Sequence, residues 1–388
     1  MQPIADFLGR VAPPQTPILV IRRAALHANL AAMQDACNAA GVRLRAHGKM
    51  HKCSELARMQ VAHGAVGLCC QTVGEAEAFA AAGIADLMVT APVPPWGWAR
   101  LAALPAAIAA VVDSAAQVAC AAGSGVSGRG LVLFVDIDLG QHRAGVRPAD
   151  VVALARVIAA TDGVRFGGVQ AYAGHLQHLG DPAARAAAHA AATAVLAGVV
   201  AELTAAGLPP GQVCGGGTGT AALDLAAGVF TEIEPGSYAL MDVEYALAGA
   251  PAGEWPFAPA LFLAATVVSA HHAPLVTCDA GLKALYTDGP PARVVAGAAP
   301  GSRWRSMGDE HGAIVHPGWL EALRTDMTAA FADHPHLIDA LGDAPTEGSL
   351  VWLQPGHVDP TMALHDAVWV ADEDGRLERW AIDARRTS

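Results

Sequence analysis

Val42-Arg43-Leu44-Arg45-Ala46-His47-Gly48-Lys49-Met50-His51-Lys52 opens on a short run, near 42–48, that reads as a strand, and it closes on two lysines. The chain holds only three lysines, Lys49, Lys52 and Lys283, while arginine supplies the rest of the 24 positive charges. A lysine kept at a strand end invites a role that a permanently charged guanidinium cannot fill, such as an amine deprotonated to attack a carbonyl. Two solvated lysines after a strand are the plain alternative. No Gly-x-Gly-x-x-Gly turn follows this strand, which argues against an open doubly wound sheet.

Upstream, residues 16–21 form a β-branched run, followed by a helical pattern with Leu26, Leu30, Met33 and Cys37 on one face and Gly41 as its stop. Downstream, apolar runs near 66–71, 86–91, 107–112, 131–138, 166–172, 212–215 and 231–234 alternate with alanine-rich helical segments ended by Gly64, Gly83, Gly123 and Gly207. With 42–48 these make eight strand-helix units, the pattern of a closed (β/α)8 TIM-type barrel, an α/β fold, over residues 22–254. Chemistry in such barrels belongs at the carboxyl ends of strands, where Lys49 falls.

Beyond Pro251, Pro256 and Pro259 the periodicity changes. Strand-like segments at 261–271, 294–297 and 351–354, and a hairpin over 367–382 turning at Asp372-Glu373-Asp374-Gly375, indicate a second, mainly β C-terminal domain. It takes in residues 1–21 plus 255–388, with one helical insertion near 317–341.

Two or three domains suit 388 residues. The net charge of −12 argues against a nucleic-acid partner, since phosphate neutralisation needs a basic surface. We expect no membrane partner, because no uninterrupted apolar run is long enough to span a bilayer, and no secretory signal in Met1 to Arg10. Seven cysteines, odd in number and without zinc spacing, fit reduced thiols in cytoplasm. Cys69 and Cys70 sit in an apolar run and are given no catalytic role.

Four motifs carry chemistry. Gly215-Gly216-Gly217-Thr218-Gly219-Thr220, after the seventh strand, reads as a phosphate loop, with Ser237 and Tyr238 of Glu234-Pro235-Gly236-Ser237-Tyr238 offering hydroxyls. Arg143, after the fifth strand, faces a phenolate or carboxylate, or else lies on the surface. Gly168 to His178 puts Tyr172, Gln177 and His178 at the sixth strand's mouth. His357 and Asp359 share a side if the backbone is extended, and so can meet at one labile Mn²⁺ or Mg²⁺. A barrel lysine with a phosphate loop fits either a Schiff-base aldolase of sugar phosphates or a pyridoxal 5'-phosphate (PLP) enzyme.

The ordered motifs resemble the metal-activated D-threonine aldolases, relatives of D-serine dehydratase among the fold type III, alanine racemase-like PLP enzymes. They are Thr16-Pro17, Arg45 to Lys52, Cys70 to Glu77, Gln170-Ala171-Tyr172, Gly216 to Thr220, Glu234 to Tyr238, Asp279 to Lys283, Asp309 to Gly312, and His357 with Asp359. The resemblance covers nearly the whole chain. It implies PLP linked to Lys49, phosphate held by Gly216, Gly217, Thr218, Gly219 and Thr220 with Ser237 or Tyr238, and Gln71, Arg143 and Tyr172 around the ring. It implies His357 and Asp359 as metal ligands, Mn²⁺ first and Mg²⁺ second, and a homodimer. Related dehydratases usually carry Cys at the second ligand position, so Asp359 favours aldol cleavage. Met50 and Ala363 depart from the family's usual Thr and Asn.

The expected reaction is reversible cleavage of a D-β-hydroxy-α-amino acid to glycine and an aldehyde, with His178 as the base. A metal-dependent D-serine or 3-hydroxyaspartate dehydratase is the alternative, followed by an amino-acid racemase or a non-catalytic PLP carrier.

Overall fold

The computed structural model describes residues 3–124, 131–251, 253–271, 275–318 and 344–385. A β-branched run makes β1 (Ile18–Arg22), and the helix Arg23–Ala40 follows at once. Leu26, Leu30, Met33 and Cys37 are all at most 1% exposed, as their helical spacing requires. Gly41 then turns the chain with φ +67°, a conformation that costs glycine little.

The eight expected barrel strands form in order. They are β2 (Arg43–His47), β3 (Gly67–Cys70), β4 (Asp86–Val89), β5 (Ala107–Val112), β6 (Leu131–Asp136), β7 (Val164–Ala171), β8 (Gln212–Gly215) and β9 (Glu232–Ile233). All neighbours are parallel, and β9 returns to β2 through Arg43 opposite Glu232 and Leu44 opposite Ile233, which closes the barrel. Cys69, Met88, Val111, Phe134 and Cys214 pack together as a buried cluster. Both cysteines are thus small core residues, and burial pushes their thiols well above the usual range.

The helix Pro182–Ala205 corrects one expectation. It has 24 residues, and by length and composition it is apolar enough to cross a bilayer. Alanine supplies that apolar character. Arg185, His189, Thr193, Leu196, Val199 and Leu203 form its buried stripe, spaced as in a helix laid along a barrel.

The second unit is a mainly antiparallel sheet. Its further strands are β10 (Leu261–Ser269), β11 (Leu275–Cys278), β12 (Arg293–Ala296), β13 (Arg303–Ser306), β14 (Gly312–Val315), β15 (Leu350–Gln354), β16 (Ala367–Ala371) and β17 (Leu377–Ala381). Pairing runs β10, β11, β14, β13, β12, β15 and back to β10, so six strands close on themselves. β1 joins this sheet by pairing antiparallel with β10 and parallel with β16. Strands β11, β13 and β14 are short, and the sequence pattern did not single them out. The helical insertion expected near 317–341 falls almost wholly on residues 319–343, outside the described residues.

Contacts divide the chain into a β unit of Met1–Ala28, Ala239–Leu247 and Phe257–Ile382, and a barrel unit of Asn29–Tyr238, Ala248–Pro256 and Asp383–Ser388. The spans anticipated from the sequence were 1–21 plus 255–388 and 22–254. The segment 239–247, with Asp242 and Glu244, therefore lies in the unit that carries His357.

Candidate active site

Lys49 sits in the single turn Gly48–Met50 that follows β2, half-buried, with Met50 beneath it fully buried. Two histidines hold this turn by the same device. Lys49 N–H donates to His47 Nδ1 at 3.3 Å, and Cys53 N–H donates to His51 Nδ1 at 3.0 Å. Each ring therefore carries its proton on Nε2, which His47 donates to Thr90 Oγ1 (3.0 Å) and His51 to Gln60 Oε1 (3.1 Å). Burial pushes His47 well below the usual histidine range and His51 down to about 4, so both stay neutral beside the lysines. They clamp the backbone around Lys49.

Lys52 does not fit the plain alternative of a solvated lysine after a strand. It adopts φ +51° and its ammonium pairs with Glu75, which is only 1% exposed. Glu75 also accepts from Gln71 N–H at 2.7 Å. The second lysine therefore neutralises a buried carboxylate that anchors the end of β3. Met50 packs near Gly236, where a Cβ would lie 3.4 Å from Met50 Cγ.

Around the barrel mouth, a small cleft is lined by Thr90, Asp136, Asp138, Arg143, Gln170 and Tyr172, among others. Arg143 stacks over Tyr172, its guanidinium carbon 5.5 Å from the ring centroid. Burial, with Asp113 nearby, pushes Asp136 up to about 7 against the pull of Arg143. His178 lies outside this lining, exposed in the turn after Gly174–Leu176.

The glycine loop has a more specific cause than anion binding alone. Gln177 lies beneath it, accepting from Gly219 N–H at 2.9 Å and donating to Thr220 Oγ1 at 3.0 Å. A Cβ at Gly217 or Gly219 would come within 2.5 or 2.0 Å of that residue. Thr220 in turn donates to Asp224 Oδ2 (2.7 Å), and His189 Nε2 stands 2.8 Å from Asp224 Oδ1. Tyr238 N–H donates to Thr218 Oγ1 at 3.0 Å, tying the loop to Ser237 and Tyr238. The structure thus joins these sequence-predicted residues through Gln177 and Asp224. The role of Asp224 had no signal in the sequence beyond its place in an apolar helix.

Glu234, at the end of β9, is buried and accepts from Gln170 Nε2 at 3.1 Å. Burial, then Glu232, pushes it up to about 8. Its Oε1 and Gln170 Oε1 have no protein partner among the described residues. Cys214, Glu232 and Glu234 bring ligand atoms within 4.8 Å of one another, yet Glu232 is already engaged by Arg45 at 2.7 Å. This is a buried polar layer under the site. Because folding raises the pKa of Glu234, the native state binds more protons than the unfolded chain. Stability therefore falls as pH rises from the ordinary glutamate range through about 8. Glu234→Gln is expected to flatten the pH dependence of the unfolding free energy between pH 5 and 8 by about one proton, measured by urea unfolding. An unchanged slope would show that Glu234 is charged in the native state.

A primary amine that can condense with an aldehyde and a guanidinium stacked on an aromatic ring that can pair with an anionic oxygen suit an aldehyde-bearing, anionic aromatic cofactor, while the two partnerless buried oxygens can only accept, from a protonated group.

In the β unit, His357 and Asp359 meet by a different route from the one expected. The backbone is extended only at His357 (φ −136°, ψ 122°), and Asp359 is in the first turn of the helix Val358–Ala363. Still, Nε2 of His357 lies 3.9 Å from Asp359 Oδ2. That is too long for a hydrogen bond and suits two ligands of one ion, since two bonds of about 2.1 Å span at most about 4.2 Å. On the ring's other side, Nδ1 is 3.1 Å from both oxygens of Asp288 and 3.9 Å from Glu244 Oε2. Burial alone would lower the His357 pKa, but Asp359 and Asp288 outweigh it and raise it.

An eight-stranded parallel barrel with an amine at its first strand end, followed by a mainly β unit, defines the alanine racemase-like class. The alanine racemase N-terminal domain family matches residues 21–243, and a serine dehydratase domain matches residues 260–371. A D-threonine aldolase from Arthrobacter sp is 39% identical over 98% of this chain and 94% of its own length. A 3-hydroxy-D-aspartate aldolase from Paracoccus denitrificans (strain Pd 1222) is 36% identical over 96% and 92%. The crystal structure of D-threonine aldolase from Filomicrobium marinum superposes with a TM-score of 0.86 at 36% identity, covering 96% of each chain. The chain belongs to the D-threonine aldolase family.

Proposed function

We propose that this protein cleaves D-β-hydroxy-α-amino acids to glycine and an aldehyde, reversibly, with PLP linked to Lys49 and a divalent ion on His357 and Asp359. The observation that carries it is the 3.9 Å approach of His357 Nε2 to Asp359 Oδ2, a ligand pair with an oxygen donor, in a chain whose barrel presents a clamped lysine. PLP, when bound, supplies an electron sink for the carbanion left as Cα–Cβ breaks. The ion supplies positive charge that lowers the pKa of the substrate's β-hydroxyl. Mn²⁺ is our first choice and Mg²⁺ the second, since an imidazole and a carboxylate leave most positions open to water and substrate.

The chain's residues then have separate tasks. Lys49 holds the cofactor, and the neutral His47 and His51 fix the turn that aims its amine. Arg143, stacked on Tyr172, would pair with the cofactor's phenolic oxygen, and Gln71 would join them in holding it. Gly216, Gly217, Thr218, Gly219 and Thr220, braced by Gln177, take the phosphate with Ser237 and Tyr238. His178 accepts the hydroxyl proton; its exposed imidazole can release that proton to solvent.

We also propose a cytoplasmic location, supported by seven unpaired cysteines, and a homodimer, as the family resemblance implies. The substrate 3-hydroxy-D-aspartate tests the reaction against dehydration. Glyoxylate with equimolar glycine is expected. Oxaloacetate with ammonia would replace the aldolase reading by the dehydratase one.

A further inference from the structure

We infer that Asp288 is a positioning residue that selects which ring nitrogen of His357 faces a metal ion. The inference rests on the His357/Asp359 metal reading above. An imidazole that binds an ion through Nε2 must carry its proton on Nδ1, and a group that accepts that proton's hydrogen bond fixes both the tautomer and the ring's rotation. Asp288 is placed to do this. Its two oxygens each lie 3.1 Å from His357 Nδ1, while Nε2 points to the opposite side, toward Asp359. Glu244 Oε2, 3.9 Å from Nδ1, adds negative charge on the same side and the same preference for a proton there.

The backbone between the two ligands is held by a different group. Asp242, fully buried, accepts from Val358 N–H through Oδ2 at 3.0 Å and from Tyr245 N–H through Oδ1 at 2.9 Å. Val358 is the residue that separates His357 from Asp359. Asp242 therefore fixes the chain, and Asp288 fixes the ring. The two roles separate experimentally, because the Asp288 side chain is 43% exposed and its loss should cost folding little.

The test titrates the PLP-loaded protein with Mn²⁺, following free ion by electron paramagnetic resonance, for wild type, Asp288→Ala and Asp288→Asn. Cofactor absorbance and melting temperature are recorded for each. Asp288→Ala is expected to weaken Mn²⁺ binding about 10–100-fold. Asp288→Asn should bind close to wild type, since its amide oxygen still accepts from Nδ1–H, and both variants should keep the fold and the cofactor. Equal binding by wild type and Asp288→Ala overturns the assignment. So does equal loss in the Ala and Asn variants, which would mark the carboxylate as a ligand or a bare charge. A wild type that takes up no Mn²⁺ gives a distinct result, removing the metal reading itself.

Discussion

Lys49→Ala protein, loaded with PLP and dialysed, is expected to show no visible-range cofactor absorbance and to lose aldehyde release by at least about 10²–10⁴-fold, the range associated with removing one proton-carrying catalytic group. The expectation follows from the turn Gly48–Met50, where backbone hydrogen bonds to His47 and His51 hold the lysine's chain in one conformation. The control is Lys52→Ala. Its ammonium is committed to the buried Glu75, so that variant should lose stability, by about 3–5 kcal/mol if Glu75 stays charged, while its folded fraction keeps the absorbance. A Lys49→Ala spectrum identical to wild type would refute the covalent link.

Chelation should have the second-largest effect. Stripping divalent ions is expected to slow aldehyde release about 10³-fold, equivalent to about 4 kcal/mol of lost charge stabilisation, while PLP absorbance is unchanged. Asp359→Ala should reproduce the loss and resist rescue by moderate Mn²⁺. The structural basis is the ligand-like separation of His357 Nε2 and Asp359 Oδ2, with Asp288 on the far side of the ring. Full activity in a chelated sample shown by elemental analysis to lack metal would remove the ion from the mechanism.

The barrel was legible because parallel strands buried on both faces read as continuous apolar runs, and each of the eight came within a few residues of its expected place. The β unit was only partly legible. Strands β11, β13 and β14 were not singled out: arginines alternate along β13, and β11 and β14 are apolar runs of only four residues. Likewise, spacing found His357 and Asp359 although its premise of extended backbone held only for His357.

Pairings across long stretches of sequence were hidden. Asp288 is 69 residues from His357, and Gln177 is 42 residues from Gly219. Gln177 had been noticed only as a residue near a strand's mouth, yet it explains why Gly217 and Gly219 must lack side chains. The two histidines beside Lys49 read from sequence as part of a motif. Only their hydrogen bonds show that they serve the turn.

The most direct measurement incubates the purified protein with PLP, Mn²⁺ and D-phenylserine and quantifies products with and without chelator. Equimolar glycine and benzaldehyde, formed only with metal present, is the predicted result. A 2-oxo acid with ammonia, or the L-configured substrate without carbon–carbon cleavage, would contradict it.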